Sequence, residues 1–201
     1  MSWLPIRDLR AGHRARVLQH LLALDPDARR LRFGHAASDA QVQAYVRQLD
    51  FERDTLFGVF DRRLRLLAFA HLALPMADSP DPAELGLSVL ARGRGRGIGS
   101  RLFDHAMLRA QVAGVDRLSI QALAENDAML SIARRAGAWI ECEGGEAEAC
   151  LQLPSAKPSD DWRARWARQA AELDYRLKTD ARRCTRALTR LRIGLGALQR
   201  H

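Results

Sequence analysis

The chain has 201 residues, 47% hydrophobic and 28% charged, which provides a core for one domain with an appendage and excludes wholesale disorder. No apolar run approaches the ~20 residues of a membrane-spanning helix. The opening MSWLPIRDLR lacks a signal peptide's apolar centre, so a cytoplasmic protein with no membrane partner is expected. The net charge of +8 is uneven: residues 160–201 hold 11 basic and 5 acidic side chains, so the basicity belongs to the tail and says little about what the rest binds.

Residues 3–6 read as a short strand. A helix follows with Val17, Leu18, Leu21, Leu22 and Leu24 on its apolar face, and Asp25-Pro26 is expected to stop it. Ser38 and Gln41 form an S-x-x-Q capping box opening a second helix through Val42, Tyr45, Val46 and Leu49. Residues 55–60 and 64–74 form a hairpin of largely apolar strands, and 75–82, with three prolines, is a loop. Residues 84–90 make a strand that feeds a helix over 98–113, ended by Gly114. Then come a strand over 118–123, a helix over 127–136 closed by Gly137, and a last hairpin of 138–142 with 147–153. Helices between strands, with hairpins at both ends, imply an α/β domain with a mixed sheet over residues 1–153. Residues 154–161, PSAKPSDD, are a linker.

Three cysteines stand at 142, 150 and 184 without metal-binding spacing, and the six histidines are scattered, so no metal site is expected. Cys142 and Cys150 flank a turn at Gly144-Gly145 and are expected to be reduced, half-buried strand residues.

The most informative segment runs V-L-A-R-G-R-G-R-G-I-G-S from Val89 to Ser100. A dinucleotide fingerprint G-x-G-x-x-G fails, because from Gly95 its last position is Ser100 and from Gly93 it is Ile98. A Walker A loop fails for want of Gly-Lys-Ser/Thr, and an RNA-binding RGG tract is disfavoured by the brevity of the run between a strand and an amphipathic helix. What fits is R-x-x-G-x-G on Arg94, Gly97 and Gly99. Glycines leave backbone N–H groups uncovered and approachable, and the next helix aims its unpaired N–H groups and positive dipole end at the same point. That is a cradle for pyrophosphate.

This stretch resembles motif A of the GNAT superfamily of N-acetyltransferases. The segment Asn126-Asp127-Ala128-Met129-Leu130-Ser131-Ile132-Ala133-Arg134-Arg135-Ala136-Gly137 is similar to its motif B, with Asn126, Ile132, Arg135 and Gly137 in the corresponding places. Together with Leu31-Arg32-Phe33, the pattern most resembles the acetyltransferase domain of bacterial protein-lysine acetyltransferases. The resemblance covers residues 4–153. It implies a mixed, mostly antiparallel sheet flanked by helices, and acetyl-CoA as co-substrate without a metal. By the same resemblance Val89, Leu90 and Ala91 would meet pantetheine, and Arg94, Gly95, Arg96, Gly97, Ile98, Gly99 and Ser100 the pyrophosphate. Asn126, Met129 and Arg135 would complete the cofactor site. The implied reaction moves an acetyl group directly to a primary amine, of a protein lysine or a small molecule.

Direct transfer needs a base, since such an amine is mostly protonated at pH 7. Glu84 stands five residues before Val89 on an otherwise apolar strand, and in related acetyltransferases a Glu on this strand is the proposed base. Alternation puts Glu84, Gly86 and Ser88 on one face of that strand. Asp78, Asp81, Glu141, Glu143, Glu146 and Glu148 are further acids near an acceptor's path, read first as solvated charges. Two positions depart from the family: its usual tyrosine falls on Ala133 and its phenylalanine on Ala138. That tyrosine often protonates the departing CoA thiolate. Its loss leaves Ser131 or water as substitutes and opens the alternative of a catalytically inactive acyl-CoA-binding regulatory domain.

From Trp162 apolar or small residues recur in steps of four and three to Leu198, nearly a heptad seam, so residues 162–201 are expected to form a basic amphipathic helical extension. A break is expected between 174 and 180. Three uses compete, in this order: packing on its own domain, pairing with a second subunit as a homodimer, and binding a polyanion. No aromatic-rich basic patch or DNA-reading motif supports nucleic acid.

Overall fold

The computed structural model describes residues 5–76, 79, 81–154 and 175. Its elements in chain order are β1 (Ile6–Asp8), α1 (Arg14–Leu22), α2 (Pro26–Phe33), α3 (Asp39–Gln48), β2 (Thr55–Phe60), β3 (Leu66–Ala73), β4 (Ala83–Val89), α4 (Ile98–Val112), β5 (Arg117–Leu123), α5 (Asp127–Arg135), β6 (Trp139–Glu143) and β7 (Glu146–Gln152). The strands form one sheet in the order β1-β2-β3-β4-β5-β7-β6. Every pairing is antiparallel except β4 with β5, which is parallel. This is the mixed α/β sheet that the alternation of elements implies.

The apolar stripes decide which face each helix covers. Phe57, Phe69, Leu72, Leu102, Phe103 and Leu118 are fully buried between the sheet and its helices. On one face α1 brings His20 to Ser88, and α2 lays Arg32 over Gly86. On the other face α4 approaches Val89 through Gly99. The predicted alternation along β4 therefore holds, with Glu84, Gly86 and Ser88 sharing the α1–α2 side.

Two expectations change. Asp25-Pro26 does stop α1, but the same pair starts α2. Asp25 is its N-cap, accepting the Ala28 N–H at 2.8 Å, Pro26 opens the first turn, and Gly34 at φ 77° ends it. None of the residues of α2 is fully buried, and its apolar positions are only Ala28, Leu31 and Phe33 among arginines, so periodicity is weak and the cap is the clearer sign. Cys142 and Cys150 are exposed and unlinked rather than half-buried. Their cross-strand partners are Ala147 and Trp139, so they do not oppose each other. β7 buries Ala147, Ala149 and Leu151 on one face and leaves Glu148 and Cys150 in solvent on the other.

Residues 1–4 and most of 155–201 lie outside the described residues, and with them the start of the first expected strand, most of the linker and the heptad seam with its break. Tyr175 is described. Its ring packs on Phe60 with centroids 5.3 Å apart and lies under the Arg7 guanidinium at 3.3 Å. That contact sets one residue of the extension against β1 and β2.

His20 clamps α1 to the sheet. Its Nδ1 lies 3.1 Å from the Leu66 carbonyl, which can only accept, so Nδ1 carries the proton and Nε2 accepts from the Ser88 hydroxyl at 2.8 Å. Burial lowers its pKa from 6.5 to about 4, which outweighs the opposing pull of the Leu66 carbonyl. The folded state thus resists a proton that the unfolded chain accepts. Stability from this group is complete above pH 6.5 and is lost as pH falls from there toward 4, on the order of 3 kcal/mol in all. Denaturant midpoints measured from pH 4 to 8 should decline over that window, and His20→Gln should flatten the decline.

Candidate active site

β4 and β5 pair only at Ala83 with Leu118 and Glu84 with Ser119. Beyond Glu84 they part, and a cleft of about 580 Å³ opens between Leu85–Val89, Ile120 and Gln121 of β5, α2 and α5. The unpaired edge of β4 presents backbone groups to this cleft that no neighbouring strand satisfies.

The glycine-rich turn closes one end. Gly97 is the N-cap of α4 at φ 70° and provides no side-chain cap, so the first N–H groups of the helix stay uncovered. Gly95 has the same φ, and a Cβ at either position would meet nothing within 4 Å. The space beside the turn is therefore open while its backbone is left-handed, a conformation that other residues adopt at a cost. Ile98, Gly99 and Ser100 line the cleft at the helix's positive end. A pyrophosphate fits that combination of open room, bare donors and dipole.

Arg94 is already engaged: its Nη2 lies 2.6 Å from Asp25 Oδ2, and its Nε donates to the Val89 carbonyl at 3.3 Å. The Ala28 N–H, with Arg94 beside it, holds the Asp25 carboxyl below its usual range despite some desolvation. The pair ties α2 to the turn across the cleft mouth. Arg135 donates to Ser100 Oγ at 3.0 Å, and Asn126 caps α5 by accepting the Met129 N–H at 3.2 Å.

Val89, Arg94, Gly95, Gly97, Ile98, Gly99, Ser100, Asn126, Met129 and Arg135 thus surround one cleft. Leu90, Ala91 and Arg96 are not among its lining. Leu90 is buried and donates its N–H to the Leu67 carbonyl at 3.0 Å, and Ala91 opens a single 3-10 turn to Gly93. The chain leaves the sheet at Leu90, so the strand surface in the cleft is Leu85–Val89 rather than residues 89–91.

A second pocket of about 440 Å³ adjoins the first, lined by Arg32, Tyr45, His71, Glu84, Gly86, Gln121 and Glu146 among others. Glu84 is exposed there, at the last residue before the strands part. Glu146 reaches this pocket; Asp81 is bonded to Ser79, Glu148 accepts from Ser119, and Asp78 lies outside the described residues. Arg32 lines both pockets.

A chain of polar contacts not foreseen from the sequence crosses this second pocket. His71 is the cross-strand neighbour of Gly86. Its Nε2 lies 2.9 Å from the buried Asp54 Oδ2, and its Nδ1 lies 2.9 Å from the Tyr45 hydroxyl. Arg32 Nη2 donates to that hydroxyl at 2.8 Å. Burial pushes the His71 ring below its ordinary pKa against the pull of Asp54, so the ring is neutral at pH 7. Its Nε2–H then donates to Asp54, Nδ1 accepts the Tyr45 proton, and the Tyr45 oxygen accepts from Arg32. Asp54 and His71 stand 17 residues apart with no shared motif, and only the hairpin register brings them together.

The sequence pattern of the family described as "Acetyltransferase (GNAT) domain" matches residues 4–138. The chain belongs to the GNAT acetyltransferase family. Among solved structures it is similar to the GNAT domain of S. lividans PAT (19% identity, TM-score 0.63, covering 75% of this chain and 90% of that one). It is also similar to the putative acetyltransferase yncA of Salmonella typhimurium, solved with acetyl-CoA (14%, 0.59, 78% and 97%). A third is a ribosomal-protein-alanine N-acetyltransferase of Brucella melitensis (17%, 0.57, 74% and 99%). No curated protein matches the sequence. This GNAT enzyme is an acyltransferase that uses acetyl-CoA. Among the described residues no His, Cys, Asp and Glu cluster could hold a metal ion, and no helix is long and apolar enough to cross a membrane. Ala133, at the family's tyrosine position, is fully buried, so that turn of α5 presents no acid to the cleft.

Gly97→Glu should abolish acetyl-CoA binding in a folded protein, because it strains the left-handed residue and sets a carboxylate where a phosphate must lie. Calorimetric titration with CoA, with circular dichroism to confirm folding, checks this.

Proposed function

We propose that this enzyme transfers the acetyl group of acetyl-CoA to a primary amine entering through the second pocket, with Glu84 as the base. The single observation that carries this reading is the place of Glu84. It is an exposed carboxylate on the last residue of β4 that pairs with β5, in the pocket that meets the cleft where those two strands part.

Each part of the site has a separable task. Acetyl-CoA supplies an acyl group activated as a thioester. The bare N–H groups at the start of α4, together with Gly95 and Gly97, hold its pyrophosphate, and Arg135 braces Ser100 at the same end. The open edge of Leu85–Val89 offers hydrogen-bonding groups to the pantetheine arm and leads it toward Gly86. From the other pocket Glu84 accepts a proton from the acceptor's ammonium group, directly or through water, and frees the lone pair for attack. With no acid at Ala133, the leaving thiolate departs on the strength of its own low basicity, about pKa 8–9. Ser131 lines the cleft as the nearest hydroxyl on that helix, and water can serve equally.

Glu84→Gln removes the base while keeping the shape of the side chain. Turnover should fall by roughly 10²-fold or more, with the CoA dissociation constant unchanged. The acid limb of the rate–pH profile should change as well. A thiol-release assay over an amine panel measures the rate, and a wild-type rate at neutral pH would remove Glu84 from the mechanism.

A further inference from the structure

The acceptor pocket contains a cation with no matching anion. Three arginines of α2 differ in this respect. Arg29 pairs with Asp39 at 2.5 Å and Arg30 pairs with Glu125. Arg32 has no carboxylate partner among the described residues; its guanidinium donates only to the Tyr45 hydroxyl and stacks near the Phe33 and Tyr45 rings, 5.4 Å from each centroid. Its Nε is buried without a partner. The chain behind it reaches a carboxylate only at its far end, beyond Tyr45 and His71, where Asp54 is also shared with Arg53 at 3.1 Å. Such a network fixes the guanidinium and leaves its charge unspent. A part-buried guanidinium in that state attracts an oxyanion.

The position selects which oxyanion. Arg32 lies against Gly86, where a Cβ would collide with the guanidinium. Gly86 is three residues before Val89, roughly 10 Å along the strand from the pyrophosphate cradle, too far to serve the CoA phosphates. Glu84 is two residues the other way on the same face, about 7 Å off. A carboxylate and an ammonium on neighbouring carbons can bridge the two, the carboxylate on Arg32 and the amine at Glu84.

We propose that Arg32 anchors a carboxylate carried by the acceptor close to its reacting amine, so that the substrate is a free amino acid or a similarly zwitterionic small molecule. The proposal rests on the amine-acetyltransferase reading and narrows its substrate. Tyr45, His71 and Asp54 are then positioning residues that aim the guanidinium.

The test is a thiol-release assay with acetyl-CoA on matched acceptors: methionine, tyrosine and glutamate beside their α-amides, and a lysine peptide blocked at both ends. Calorimetry on the CoA-loaded protein measures binding of the same acceptors, so the result does not depend on turnover alone. In the wild type at least one free acid should be preferred over its amide by about 10-fold or more. Arg32→Gln should bring that ratio within about 3-fold, by raising KM for the acid, while CoA affinity stays within a few-fold. Arg32→Lys should retain part of the preference, and Gly86→Ala, which fills the guanidinium's place, should lose it. Equal use of acids and amides, a preference intact in Arg32→Gln, preference for the blocked lysine peptide, or no binding of any pair would overturn the proposal. A preference for succinyl-CoA over acetyl-CoA that vanishes in Arg32→Gln would also overturn it, by placing the carboxylate on the acyl chain. Wild-type protein that fails to bind acetyl-CoA would instead refute the reading beneath it, whereas acetylation indifferent to the carboxylate defeats this proposal alone.

Discussion

Everything in the site depends on the brevity of one parallel pairing. β4 and β5 share register at two residue pairs and then separate, although both strands continue for several residues. A parallel pair joined by a crossover helix would ordinarily stay paired along its length, and the unpaired remainder costs backbone hydrogen bonds. β5 is paired along all seven residues with β7 on its other edge. β4 keeps β3 on one edge and leaves the other open. The glycine-rich turn follows at once, so an open strand edge and the bare start of a helix face the same space. A long, bent ligand with a hydrogen-bonding arm and an anionic end suits that space; a flat or purely apolar ligand would leave half of it unsatisfied.

The two faces of the sheet divide the work. α4 and α5 present the cradle and its bracing residues on one side, while α1, α2 and α3 bring His20, Arg32 and Tyr45 to the other. β4 belongs to both, because its alternate residues point both ways. His20 clamps it at Ser88, Gly86 gives room to a guanidinium, and Glu84 ends the row in solvent. A single strand thereby sets the spacing between Ser88, Gly86 and Glu84, at a rise of about 3.3 Å per residue.

Local chemistry was legible in the sequence, and contacts across elements were not. The glycine-rich turn could be read because its features lie in consecutive residues: glycines, arginines and the helix start fall within Val89 to Ser100. Glu84 stood out for the same reason, as a charge on an apolar strand. That Leu90 and Ala91 do not line the cleft was not legible, because the departure of the chain from the sheet depends on Leu90 being drawn into the core beside Leu67, a tertiary effect. α2 escaped because it buries no residue fully, so Asp25-Pro26-x-Ala28 was its clearer sign. Arg32, Tyr45, His71 and Asp54 had no shared signal at all; Tyr45 read as one apolar position on a helix face and His71 as part of an apolar strand.

The Arg94–Asp25 pair limits what α2 can do. Asp25 both caps that helix and holds Arg94, so the helix carrying Arg32 is pinned at its N-cap to the glycine-rich turn. At its far end Arg32 is pinned to α3 and β3 through Tyr45 and His71. On the proposed reading, a phosphate at the turn would compete with Asp25 for Arg94, and a shift of Arg94 toward it would loosen the front anchor alone. The rear anchor is held by a buried carboxylate and a neutral imidazole, which a surface anion does not reach. Arg32 thus keeps its place over Gly86 through Tyr45 and His71, independently of Asp25.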